Sequence, residues 1–160
     1  MNHPHNKLNA SQEWLTPPKI IEALGPFDLD PCATVDRPWN TAKKHYDCIQ
    51  NGLWNKWDGR VWLNPPYGSE TVLWIQALAS HGNGIALIFA RTETKMFFDF
   101  IWPKADAIMF LKGRITFYHK DGSLSKNNSG SASVLIAYGS DNADILEKSG
   151  IDGFFIRLKQ

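Results

Sequence analysis

The sequence predicts an α/β fold: an open, mostly parallel sheet with helices on both faces and an antiparallel pair at one edge. Three observations predict it. Short apolar runs alternate with segments of helical periodicity, the pattern of strands joined by helical crossovers. GIALIFA (residues 84–90) is continuously apolar, the mark of a strand buried on both sides of a parallel sheet. From residue 107 onward, apolar runs follow one another without full helices between them, which calls for antiparallel pairing.

Residues 1–13 are polar and read as a flexible lead, leaving 14–160 as one compact domain. WLTPPKIIEALG then starts a helix, with Thr16 as N-cap, proline in the first turn, and Ile20, Ile21 and Leu24 on one face. Gly25-Pro26 stops it. FDLD (27–30) is a short alternating strand ending at Pro31. Residues 32–58 hold no sustained period beyond room for one short strand or helical turn, with turn signals at Asn51-Gly52 and Asp58-Gly59. Irregular stretches of that length are uncommon and often functional. RVWL (60–63) is a strand. SETVLWIQALASHG is a helix capped by Ser69, with Val72, Ile75, Leu78 and Ala79 facing inward. TETKMFFDFIW (92–102) reads as a short helix ended by Pro103. AIMFL (107–111) and RITFY (114–118) are strands, KDGSLSKNNSGS (120–131) a polar loop and ASVLIAY (132–138) a buried strand. NADILEKSG is a short helix and DGFFIRL (152–158) the last strand.

Composition narrows the function. A net charge of +1 excludes a general polyanion binder, so any nucleic acid must meet a local basic face. Two cysteines, Cys32 and Cys48, are too few for a disulfide framework, and no Cys/His spacing suits zinc, so no metal is expected. No apolar run reaches membrane-spanning length, and MNHPHNKLNASQEW has no apolar signal core. The expectation is a cytoplasmic protein without a membrane partner.

The sharpest feature is GRVWLNPPYGSE, where an apolar strand ends in Asn64-Pro65-Pro66-Tyr67. A Pro-Pro pair ends any strand. This corner sits, however, where ligands bind in such folds, beyond the carboxyl end of a strand, as does Asp30-Pro31. A conjugated amine is a poor nucleophile because its lone pair is delocalised. Two acceptors, the Asn64 amide oxygen and the Pro65 carbonyl fixed by the prolines, can hold both N–H groups and favour a geometry that frees the lone pair. Tyr67 offers a flat face for a planar group. Asn64 cannot act as a base, so the design is positioning in front of an electrophile. That combination suggests methyl transfer from S-adenosylmethionine.

NPPY matches the catalytic motif of amino-methyltransferases. With WLTPP, FDLDPCAT, NGLWNKWDGRVWLNPPYG, ARTETKMFF and FLKGRITFY, spanning nearly all of residues 14–138, the chain resembles the bacteriophage and prophage DNA adenine-N6 methyltransferases. The resemblance implies a Rossmann-like methyltransferase fold, S-adenosylmethionine as cofactor, DNA as partner, and a phage- or prophage-encoded enzyme in a bacterial cytoplasm. It implies that Asn64, Pro65, Pro66 and Tyr67 hold the target amine. Asp30, Pro31, Cys32 and Ala33 would form the cofactor turn, and Trp14, Thr16 and Pro17 the segment against the cofactor's methionine end, although TPP also suits a plain helix cap. The sequence departs from the pattern twice. The turn DPCATVD lacks the usual glycines, and Asn51 stands where the family pattern carries an acid before Gly52-Leu53; its amide can still accept a hydrogen bond. Asp47 is a candidate for the ribose hydroxyls. Arg91 and Arg114 match family positions and are either DNA contacts or solvated arginines. Lys120, Lys126, Asn127 and Asn128 can track a DNA backbone. Rival readings are a methyltransferase acting on an RNA base or a protein glutamine amide, and an inert DNA- or nucleotide-binding module. Specificity is expected from loops 32–58 and 120–131. The recognition sequence, strand preference and oligomeric state leave no trace in the sequence.

Overall fold

The computed structural model describes residues 14–160, so the lead expected over 1–13 lies outside the described residues. Seven strands form one sheet: β1 (Leu29–Asp30), β2 (Lys44–His45), β3 (Val61–Leu63), β4 (Gly84–Phe89), β5 (Ala107–Leu111), β6 (Ser133–Tyr138) and β7 (Gly153–Arg157). Their spatial order is β2-β1-β3-β4-β6-β5-β7. From β2 to β4 all neighbours run parallel, and from β4 to β7 all run antiparallel. The antiparallel part is therefore half the sheet rather than an edge pair. The reason is the long, helix-free connection between β5 and β6, which lets β6 enter reversed between β4 and β5. The GIALIFA strand is buried as expected, yet only one of its neighbours is parallel.

Alternation along the strands builds two cores. Leu29, Val61, Leu63, Ala86 and Ile88 face one side. There they pack against helix α2 (Thr71–His81) and a π-helical turn (Phe97–Ile101). Trp62, Ile85, Leu87 and Leu135 face the other, against α1 (Pro18–Leu24) and α3 (Ser140–Glu147). Helices thus cover both faces.

Several local expectations change. RITFY joins no sheet. Tyr118 alone bridges Leu15 and Leu124, because the N-terminal segment claims its backbone: Leu15 donates to the Tyr118 carbonyl at 2.9 Å and Tyr118 returns a bond at 3.1 Å. Pro17 caps α1 without a side-chain bond, since the Thr16 hydroxyl is engaged elsewhere. Ser69 does not cap α2; Glu70 holds that position, and the Thr71 hydroxyl reaches back to the Pro66 carbonyl at 2.6 Å. The buried stripe of α2 is Thr71, Trp74, Ile75 and Leu78, with Val72 and Ala79 half-buried. The irregular segment holds both a two-residue strand, β2, and a 3₁₀ turn (Gly52–Trp54).

Candidate active site

From β1 the chain goes to β2 on one side and returns to β3 on the other. A crevice opens beyond the strand ends at such a reversal. A cleft of about 290 Å³ lies there. Pro31, Cys32 and Ala33 after β1, Asn64–Tyr67 after β3, and Trp14 and Asn51 line it together. Asp47 is also in its wall. Thr16 and Asp30 line instead a cavity of about 30 Å³ behind the cleft, shared with Asn64, and Pro17 lines neither.

The orientation of Asn64 follows from Thr16. The Asn64 Nδ2 group donates to Thr16 Oγ1 at 3.2 Å. That turns Oδ1 the other way, where it is buried with no partner among the described residues. The adjacent Pro65 carbonyl also accepts no hydrogen bond among the described residues. Buried acceptors are normally paired. Two neighbouring ones left open mark a place prepared for N–H donors. The Thr71 hydroxyl on Pro66 holds the prolines in place from the first turn of α2.

The turn after β1 closes without glycine. The Asp30 carboxylate accepts the Cys32 N–H at 3.1 Å and the Thr41 hydroxyl, and Ala33 donates to the Tyr46 carbonyl at 2.9 Å. Burial pushes the Asp30 carboxyl up to about 6, against the pull of these donors and of Arg37. Close approach is supplied from across the cleft. A Cβ on Gly52 would lie 1.9 Å from the Pro31 carbonyl oxygen, so only glycine fits where the 3₁₀ turn meets the turn after β1. Asn51, just before it, has left-handed φ of 48°, a conformation that asparagine tolerates better than most residues.

A second cavity, about 210 Å³, shares Trp14 and Tyr67 with the cleft and is otherwise lined by Phe89, Phe117 and the polar run Ser125, Asn127, Asn128 and Ser129. Tyr67 stacks on Phe89 with centroids 4.0 Å apart and planes 11° from parallel, and meets Phe117 edge-on at 6.4 Å. One Tyr67 face is thus covered. Its hydroxyl is buried without a partner among the described residues, and burial raises its pKa. The polar run is tied to the RITFY segment by Ser125 N–H on the Phe117 carbonyl (3.0 Å) and Ser129 N–H on the Ile115 carbonyl (2.8 Å). Arg91, Arg114, Lys120 and Lys126 each lie within three residues of one lining this cavity. Arg91, Arg114 and Lys126 are exposed and Lys120 half-buried.

A family model described as DNA N-6-adenine-methyltransferase (Dam) matches residues 4–147. The chain belongs to this Dam family. Membership makes DNA N6-adenine methylation its activity. No curated protein and no solved structure matches the chain. Among the described residues, no group of three or more His, Cys, Asp or Glu could hold a metal ion, and no helix is long and apolar enough to cross a membrane.

Sequence reasoning missed four residues of the candidate site in this Dam-family chain. Gly52 read as a turn mark and part of the family pattern, with no sign of its close approach to Pro31, and Thr71 and Trp74 read only as parts of a helix. Phe89 closed an apolar run with nothing to show that it would meet Tyr67.

Proposed function

We propose that the chain methylates the N6 amine of an adenine turned out of duplex DNA, with S-adenosylmethionine in the larger cleft and the base in the aromatic cavity. One observation carries this reading: the Asn64 carboxamide, aligned by Thr16, leaves an unpartnered oxygen beside the unpartnered Pro65 carbonyl in the wall of an open cleft.

The cleft's chemistry fits the cofactor. Among the described residues its only carboxylates are Asp47 and Glu70, and no Lys, Arg or His lines it, which suits a ligand carrying a sulfonium. The Gly52–Pro31 approach brings two lining segments together where a side chain would force them apart. Pro31, Cys32, Ala33 and Asn51 would hold the cofactor, and Trp14 would cover it. Bound there, it supplies an electrophilic methyl group.

The protein does the rest by position. Asn64 Oδ1 and the Pro65 carbonyl accept the two N–H bonds of the amine and draw its lone pair out of conjugation. Such pre-aimed groups contribute roughly 10²–10³ in rate each when buried. A base inside the helix cannot reach a cleft, so the target must leave the stack. The aromatic cavity receives it. Because Phe89 lies 4.0 Å from Tyr67, the base uses the open Tyr67 face or displaces Phe89. Asn127, whose side chain has no protein partner among the described residues, stands at the rim to meet the base edge. The exposed arginines and Lys126 meet phosphates. We place this activity in a bacterial cytoplasm, in a phage- or prophage-encoded enzyme.

Incubation with methyl-labelled S-adenosylmethionine and DNA, RNA or cell extract tests the reading. Label in DNA alone, at N6-methyladenine in a fixed context, is the expected result. Label in RNA or protein would select another substrate, and no S-adenosylmethionine binding would make the fold an inert module.

A further inference from the structure

Glu70 and Trp74 lie one helical turn apart at the start of α2, on the same face, and both line the cleft, as do Asn51 and Gly52. Trp74 is only 7% exposed, and its Nε1–H is buried with no acceptor among the described residues. Buried indoles normally find one. Trp57 shows the ordinary solution nearby, donating to the Gly52 carbonyl at 2.8 Å. An unpartnered donor in a ligand cleft points to an acceptor on the ligand.

The neighbours decide what kind of acceptor. Asp47 and Glu70 both line this cleft, and no basic side chain among the described residues does, so a ligand carboxylate is repelled from their neighbourhood. A neutral ring nitrogen is not. Carboxylates instead suit ribose hydroxyls, and the Asn51 side chain, without a protein partner among the described residues, suits an exocyclic amine. We infer that Trp74 donates through Nε1–H to a ring nitrogen of the cofactor's purine and is a determinant of cofactor identity. This rests on the methyltransferase reading above, since it takes the cleft as the cofactor site.

The test is calorimetric and needs no turnover. S-adenosylhomocysteine, and analogues in which N1, N3 or N7 of the purine is replaced by C–H, are titrated into the wild-type protein and into Trp74→Phe, which keeps a ring but removes the donor. One neutral hydrogen bond predicts a loss of about three- to tenfold in the variant. One deaza analogue should lose the same factor against wild type and nothing further against Trp74→Phe, a closed double-mutant cycle. Deaza losses that are equal in both proteins, or wild-type-like affinity in the variant, would overturn the inference. The deaza series on wild type stands even if the variant folds poorly: no loss with any of the three analogues refutes the bond. Failure of the wild type to bind S-adenosylhomocysteine would overturn the cofactor reading itself, and this inference with it.

Discussion

Replacing Gly52 by Ala adds a single methyl group at the closest approach in the site. Its position is 1.9 Å from the Pro31 carbonyl oxygen, 2.8 Å from the carbonyl carbon and 3.0 Å from Pro31 Cβ. Ordinary carbon contacts need about 3.5 Å, so one of the two backbones must retreat by roughly 1.5 Å. Neither is loose. Pro31 is buried and follows Asp30, whose carboxylate is tied to Cys32 and Thr41. Gly52 is held through its carbonyl by Trp57. Overpacking of this kind costs about 1–3 kcal/mol of stability. The displaced backbone is also the cleft wall, so S-adenosylhomocysteine affinity should fall at least tenfold in Gly52→Ala. Urea denaturation measures the first effect and calorimetry the second. Affinity within twofold of wild type would show that the approach is not what shapes the proposed cofactor cleft.

Other perturbations separate the roles. Thr16→Val removes the acceptor for Asn64 Nδ2 while keeping shape; we expect kcat to fall about tenfold or more with S-adenosylhomocysteine binding nearly unchanged, whereas a cofactor-contacting Thr16 would weaken binding instead. Asp30, buried and raised from 3.8 to about 6, binds its proton more tightly folded than unfolded, so its contribution to stability is present below about pH 4 and is lost as pH rises to about 6. Denaturation of Asp30→Asn and wild type from pH 4 to 7 should therefore show their stability difference growing in the variant's favour by up to about 3 kcal/mol, and a flat difference refutes the shift. His45, lowered to about 4 chiefly by burial, titrates with the opposite sign in both proteins and cancels in that difference. Arg91→Ala and Arg114→Ala should each reduce the salt dependence of DNA binding by about one phosphate's worth without touching cofactor affinity, as filter binding at several salt concentrations would reveal.

How much of this was legible follows the physics of each element. Strands β4 and β6 announce themselves because full burial demands continuous apolar residues. The corner at Asn64 stands out in the sequence because amide, proline and phenol are chemically specific, and the folded chain sets it in the wall of the cleft. RITFY misled because its alternation serves a different end: Phe117 is buried in a core cluster and lines the aromatic cavity, while Tyr118 pairs with Leu15. The short strand allowed for in residues 32–58 could not be placed, because Lys44–His45 is an edge strand with no apolar signature. The steric need for Gly52 and the Thr16–Asn64 bond join residues far apart in sequence, 21 positions in one case and 48 in the other, and only the folded chain brings them together.

The central claim is that the open Asn64 oxygen drives transfer rather than cofactor binding. Single-turnover methylation of unmodified duplex DNA by Asn64→Ala, with S-adenosylhomocysteine titrated in parallel, tests it most directly. The account predicts a rate at least 10²-fold lower, with cofactor affinity within a few-fold of wild type. Near-normal methylation by the variant would contradict it.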